Sequence, residues 1–221
     1  GSTLTNPDYF HDLGHILVAG ATGSKPRYGG KTTTCNAWAT WGVRSGEFDV
    51  AIFFNPKHDS GVKGFTVRNI RRLADAMGSG ERLIDFRPDS TDGAKEHENL
   101  REFVSELEET RLIVVHDECS SYPDSLAWFL KRGGNESDCK SLAVSQNPYE
   151  IDSTVRSNLH SFVWVGPATG SLQTFAQRSA WPEKIHSVVK ERHTEPYCWS
   201  VFDGNTADGD TYGPVHGGWV A

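Results

Sequence analysis

His15-Ile16-Leu17-Val18-Ala19-Gly20-Ala21-Thr22-Gly23-Ser24, continuing through Lys25-Pro26-Arg27-Tyr28-Gly29 into Gly30-Lys31-Thr32-Thr33, decides the fold. The order is a short apolar strand, a glycine-rich loop and the start of a helix. Glycines let backbone N–H groups crowd around a polyphosphate, a lysine neutralises its outer charges, and the hydroxyl that follows offers a ligand to Mg²⁺. The spacing departs from G-x-x-x-x-G-K-[ST]: Lys25 stands where the first glycine belongs, and Gly23 is the nearest glycine upstream. The stretch therefore reads as a phosphate cradle with an insertion, Lys25 to Gly29. Its candidate nucleotide contacts are Gly20, Thr22, Gly23, Ser24, Gly29, Gly30, Lys31, Thr32 and Thr33. Which of Gly20, Gly23 and Gly29 meets the phosphates stays open.

Outward from this loop, apolar runs alternate with helical patterns. Strands are expected at His15–Ala19, Val50–Phe54, Leu83–Phe86, Leu112–Val115, Leu142–Val144 and Phe162–Val165. Helices are expected from Lys31 to about Val43, Val67 to Met77, Glu96 to Glu109 and Ser125 to Arg132. Glycines at Gly78, Gly80, Gly133 and Gly134 close two of them. The alternation predicts an α/β domain with a mostly parallel sheet covered by helices, and ligands at the carboxyl ends of its strands. The domain is expected over residues 3–194. Residues 195–221, rich in Gly, Asp and aromatics, read as a hairpin-like appendage of the same domain. The acidic run Asp203-Gly204-Asn205-Thr206-Ala207-Asp208-Gly209-Asp210 within it reads as a solvated turn, because Ala207 sits where a Ca²⁺ loop needs a ligand.

Leu112-Ile113-Val114-Val115-His116-Asp117-Glu118 is the second signal. A buried strand delivers two carboxylates at its tip. Beside a phosphate cradle, Asp117 would hold the hydration shell of Mg²⁺ and Glu118 would take a proton from an attacking water. Ser145-Gln146-Asn147-Pro148, at the end of the following strand, is the third, with a polar side chain that can reach a γ-phosphate or the water. His116 reads as a packed or solvated histidine. The tryptophans Trp38, Trp41, Trp128 and Trp164 read as core.

Composition narrows the function. The 221 residues carry a net charge of −7, which excludes a uniformly basic nucleic-acid coat but not a local basic patch. The best such patch is Lys57, Lys63, Arg68, Arg71 and Arg72, with Asp59 the only acid in that span; a solvated face is the competing reading. Four scattered cysteines form no C-x-x-C pair, so no zinc site is expected, and reduced thiols fit an intracellular protein. No run approaches the ~18 apolar residues of a membrane span, and no charged-then-apolar leader suggests secretion.

Taken together, these segments resemble the FtsK/HerA superfamily of DNA-pumping ATPases. Gly20-Ala21-Thr22-Gly23-Ser24 with Gly30-Lys31-Thr32 resembles the family's G-x-T-G-S-G-K-[ST] loop, split by five residues. Asn55-Pro56-Lys57 resembles its D-P-K turn, with Asn55 in place of the aspartate. Leu112 to Glu118 resembles its acidic strand end. Ser145-Gln146-Asn147-Pro148 with Val155-Arg156-Ser157-Asn158 resembles its T-Q-x-P segment and downstream R-x-N. The short chain is similar to the genome-packaging ATPases of tailless, internal-membrane double-stranded DNA viruses of archaea and bacteria.

The resemblance implies a RecA-like core of the additional-strand, catalytic-glutamate type, with ATP and Mg²⁺ as cofactors. Lys31 would contact the β- and γ-phosphates, Thr32 and Asp117 would serve Mg²⁺, Glu118 would be the base and Gln146 the γ-phosphate sensor. An arginine from a neighbouring subunit would complete the site, with Arg132, Arg156 and Arg27 as candidates. Implied partners are double-stranded DNA, further copies in a ring, expected as a hexamer, and capsid or membrane-associated vertex proteins. The implied location is the host cytoplasm or the packaging vertex of a virion. The competing readings are a small-molecule P-loop kinase and a nucleotide-gated assembly factor with little turnover.

Overall fold

A computed structural model describes residues 13–20, 30–133, 136–146 and 151–216, the side chains of residues 154, 215 and 216 aside. Its strands are β1 (Ile16–Gly20), β2 (Val50–Phe54), β3 (Phe65–Val67), β4 (Leu83–Phe86), β5 (Leu112–His116), β6 (Cys139–Ser145), β7 (Ser161–Val165), β8 (Cys198–Phe202) and β9 (Thr211–His216). Its helices are α1 (Lys31–Arg44), α2 (Ile70–Gly78), α3 (Gly93–Ser105), α4 (Pro123–Trp128), α5 (Ser153–Arg156), α6 (Leu172–Gln177) and α7 (Pro182–Arg192). A π-helical turn, Phe129–Gly133, continues α4.

Among the described residues the strands form one nine-stranded sheet in the order β3-β4-β2-β5-β6-β1-β7-β8-β9. From β3 to β7 every pairing is parallel; β8 runs antiparallel to β7, and β9 to β8. The expected parallel α/β sheet and terminal hairpin are both present, and the hairpin is continuous with the sheet. The central strands are buried at every position, as in ILVAG of β1 and LIVVH of β5. Unbroken apolar strands of this kind are what a sheet covered on both faces requires.

The alternation of side chains sorts the core into two layers. Leu17, Ala19, Ile52, Phe54, Val114 and Trp164 face one way, into a core with side chains of α2, α3, α4, α6 and α7. Ile16, Val18, Ala51, Phe53, Ile113 and Val115 face the other way, against Cys35, Trp38 and Trp41 of α1. Trp38 and Trp164 are fully buried. Trp128 is partly buried and packs on the first layer. All four cysteines are buried with free thiols.

Beyond shifts of a single residue, element boundaries differ from the expectation at four places. Phe65–Val67 forms the edge strand β3, and the helix assigned from Val67 begins only at Ile70, because the Asn69 side chain caps it by accepting the Arg72 amide at 2.9 Å. The helix expected from Glu96 starts at Gly93, capped by Asp92, and ends at Ser105 rather than Glu109, which has φ 52°. Pro123 at the first position of α4 starts that helix before Ser125. β6 is longer than Leu142–Val144 at both ends.

Candidate nucleotide and metal site

Parallel pairing brings the ends of β2, β5, β6 and β1 to a common edge. Phe54 is level with His116, His116 with Ala143, and Ala19 with Ser145. Residues that follow these strands, Asn55, Asp117-Glu118 and Gln146, therefore emerge beside Gly20, which the sequence separates from them by up to 126 positions.

Two glycines shape the start of the cradle. At Gly20, φ is 155° and a Cβ would lie 2.1 Å from the Val165 carbonyl oxygen, so only glycine lets β7 approach β1 there. Gly30 is left-handed at φ 81°, precedes α1, and leaves space that the Tyr197 ring takes. No side chain caps α1 and its first turn holds no acid, among the described residues. Its open N–H groups and positive dipole end suit an anion. Lys31 is buried, its Nζ donating to the Gly20 carbonyl at 2.9 Å. Burial pushes its ammonium down to about 8, against the pull of Asp117. A desolvated cation at the start of an uncapped helix fits a polyphosphate.

The acidic tip of β5 rests on an aromatic nest. Tyr122 donates its hydroxyl to the Asp117 carbonyl and stacks on His97 at 3.9 Å. Phe54, His116 and Phe129 close around the same imidazole. His116 is fully buried and bonded to His97 at 2.8 Å and to Ser141 at 2.9 Å, so it is a packed histidine. Burial raises the pKa of Asp117 despite Lys57 nearby, while its Oδ1 accepts the Glu118 amide at 3.0 Å. Glu118 is left-handed, φ 52°, and its carboxylate meets Lys57 Nζ at 3.0 Å. Gln146 lines a cavity of about 120 Å³ with Lys57, Asp117, Glu118 and Ser145.

The loop after β2 carries contacts that the sequence does not announce. Asn55 is fully buried; its Nδ2 donates to Asp85 Oδ1 and to the Asp59 carbonyl, both at 3.0 Å, and its Oδ1 accepts the Asp59 amide at 2.8 Å. An aspartate at 55 would set a second carboxylate against Asp85, so the amide suits this chain. Arg87 pairs with Asp85 at 2.5 Å and donates to the Asp59 carbonyl at 3.1 Å. The loop so fixed presents the Asp59 carboxylate to Thr32, whose hydroxyl donates to Oδ2 at 3.0 Å. Giving its proton to Asp59 leaves the Thr32 oxygen's lone pairs available to a cation. Asp59 is thus a third carboxylate beside Asp117 and Glu118. Its only trace in the sequence is that it is the lone acid in a basic span.

Gly20, Gly30, Lys31, Thr32, Asp117, Glu118 and Gln146 thus share one edge. Thr33 starts the same helix but is exposed. Thr22, Gly23, Ser24, Gly29, the insertion with Arg27, and Asn147-Pro148 lie outside the described residues. Arg132 is in the π-helical turn leading to the amino end of β6, away from that edge, exposed and 4.0 Å from Glu136. Arg156 ends α5, half-buried, near enough to Arg178 to lower the latter's pKa after desolvation. Lys63, Arg68, Arg71 and Arg72 are exposed; Arg68 is 3.8 Å from Asp89 and Arg72 is 3.9 Å from Asp75.

No protein-family model and no curated protein sequence matches the chain. Solved structures match it in fold. The genome packaging NTPase B204 from Sulfolobus turreted icosahedral virus 2, in complex with sulfate, aligns at a TM-score of 0.68 and 11% identity, over 91% of this chain and 97% of that one. Its complex with AMPPCP aligns at 0.65 and 11%, with the same coverage. The plasmid coupling protein TrwB, in complex with a non-hydrolysable ATP analogue, aligns at 0.58 and 14%, over 95% of this chain and 88% of that one. The chain shares its fold, a mostly parallel RecA-like sheet flanked by helices, with these proteins. Among the described residues no helix is long and apolar enough to cross a membrane.

Proposed function

We propose that the chain is an ATP-hydrolysing motor that moves double-stranded DNA, with packaging of viral DNA into a capsid as its task. The observation that carries this reading is the convergence of Lys31, Thr32, Asp117, Glu118 and Gln146 on one sheet edge beside an uncapped helix start. The fold shared with a viral genome packaging NTPase and a plasmid coupling protein supports the DNA part.

In this reading Lys31 binds the β- and γ-phosphates of ATP, and backbone amides at the start of α1 orient them. Thr32 and Asp117 would hold Mg²⁺, and Asp59 orients the Thr32 hydroxyl. The bound Mg²⁺ supplies charge stabilisation to the phosphates. Glu118 takes the proton of the attacking water, and Gln146 contacts the γ-phosphate side of the cleft. A neighbouring subunit in a ring, with a hexamer the expected size, contributes Arg132 or Arg156. Lys57, Lys63, Arg68, Arg71 and Arg72 meet the DNA backbone without reading sequence. Residues 3–194 form the motor domain and 195–221 its appendage. Capsid or membrane-associated vertex proteins are the docking partners, in the host cytoplasm or at the packaging vertex.

Steady-state ATP turnover with and without duplex DNA tests the reading. Turnover should rise with DNA, and Glu118→Gln should lower kcat by about 100-fold or more with little change in KM. Turnover indifferent to both DNA and Glu118→Gln contradicts it.

A further inference from the structure

The chemistry above uses the carboxyl ends of the strands, but a cavity of about 210 Å³ lies at their amino ends, on the opposite edge of the sheet. His15 enters it just before β1, Asp138 and Lys140 flank the first residue of β6, His160 stands just before β7, and Phe48 lies ahead of β2. Its walls are fixed. The His160 and Ser161 amides both donate to the His15 carbonyl, at 3.0 and 3.3 Å. The His160 ring rests on Gly14, where a Cβ would lie 2.8 Å from Nδ1, and the Phe48 ring rests on Gly42, where a Cβ would lie 2.7 Å from it.

The polar groups of this cavity are one-sided. His15 is 9% exposed, and its Nδ1 accepts the Ser141 amide at 3.1 Å. Burial, then the neighbouring His160 and Lys140, lower its pKa to about 4, so near neutral pH the ring is uncharged and carries its proton on Nε2. No described residue accepts that proton. The His160 ring, its centroid 6.3 Å from that of His15, likewise has no hydrogen bond at either nitrogen among the described residues. Asp138 is the one acid of the lining; it is exposed, and its charge also falls on Arg111, which pairs with Asp49 at 2.9 Å. The Cys139 thiol stays neutral, pushed up to about 12 by burial. A buried donor with no acceptor, beside a lysine, calls for an anion.

We propose that this cavity is a second binding site, for a small organic acid whose carboxylate accepts the His15 Nε2–H beside Lys140 and whose apolar body lies against the Phe48 ring. A carboxylate carries the single negative charge that one ammonium balances, whereas a phosphate dianion would keep a charge uncompensated in a partly enclosed space. The Phe48 ring and the neutral thiol offer the rest of such a molecule an apolar wall, as pockets for small molecules do around a few placed polar groups. The site is independent of the ATPase reading, because it shares no residue with the nucleotide edge. It touches the far ends of β1 and β6, the strands that carry Gly20 and lead to Gln146.

Sodium benzoate is the probe, titrated into the full chain near neutral pH while the imidazole ¹⁵N resonances are followed. Those of His15 and His160 should shift and saturate with a Kd of about 1 mM, and uncharged benzamide should bind about tenfold or more weakly. His15→Asn keeps an oxygen acceptor for the Ser141 amide and removes the Nε2 donor, so the Kd, read at His160, should rise about tenfold. Lys140→Met, at a half-buried position, should raise it by a similar factor with the melting temperature unchanged, and carries the test should His15→Asn fail to fold. Resonances of His15 and His160 that millimolar benzoate leaves unmoved overturn the proposal. So does benzamide binding as tightly as benzoate, or wild-type affinity in either folded variant. Inorganic phosphate bound as tightly as benzoate shows a cluster of cations with no preference for an organic acid, and overturns it too.

Discussion

Asp85 on β4 and Asp117 beyond β5 are both carboxylates enclosed near the same sheet edge, two strands apart, and their surroundings differ. Asp85 is fully buried and accepts from Asn55 at 3.0 Å, from Arg87 at 2.5 Å and from Thr66 at 3.5 Å. Around Asp117 the desolvation outweighs the favourable groups, and its pKa rises. Lys31, across the cradle, is out of balance in the opposite sense, its pKa lowered to about 8. A closed polar network holds a loop in place. An open one keeps an unmet demand for charge, which a polyphosphate and a divalent cation are able to meet. The loop after β2 serves both regions, because Asn55 and Asp59, held by Arg87 at the end of β4, close the first while Asp59 and Lys57 reach into the second.

The comparison breaks first at Arg87. Arg87→Met leaves Asp85 buried without its cation and should cost about 3–5 kcal/mol in denaturant unfolding. Asp117→Asn, which removes a charge that folding disfavours, should raise the melting temperature of the free protein while abolishing turnover. Equal destabilisation by both would erase the distinction between closed and open networks.

Acidity gives the next largest effect. His15 and His116 are lowered to about 4 and about 3 by burial, and His97 is driven well below its usual value for the same reason. Because the folded state binds these protons less readily than the unfolded state, stability is full above pH 6.5 and drains as pH falls towards 4. His15 and His116 should each remove about 2 kcal/mol between pH 6.5 and 5, read as a falling urea midpoint, and His97 acts in the same direction. A midpoint constant over that window would contradict the buried imidazole chain. The smallest effect is expected at the exposed rim. Arg71→Ala should reduce the slope of log K for DNA against log salt by about 1, with stability unchanged.

The parts of this arrangement visible in the sequence are those written in consecutive residues. The runs at 16–20, 50–54 and 112–115 are apolar without a break because both faces of the sheet are covered, and the acids just beyond the last run could only sit at its tip. β3 escaped because it has three residues, two of them exposed, and reads as the lead-in to a helix. The pairing of Thr32 with Asp59 spans 27 positions and depends on a turn closed by Asn55. That asparagine is visible in the sequence only as a departure from D-P-K; its task emerges once β4 brings Asp85 alongside. The Lys57–Glu118 contact joins residues 61 positions apart through the adjacency of β2 and β5, which the alternation of strands and helices alone does not specify.

Thermal unfolding near neutral pH, with no ligand, with ATP and EDTA, and with ATP and Mg²⁺, tests the open site most directly. Mg²⁺ with ATP should stabilise wild type by about 2.7 kcal/mol at a hundredfold excess over Kd, with ATP alone giving less, and Lys31→Ala should lose the effect. A melting temperature that Mg²⁺ with ATP leaves unmoved, or an equal rise in Lys31→Ala, would contradict a site built to be completed by nucleotide and metal.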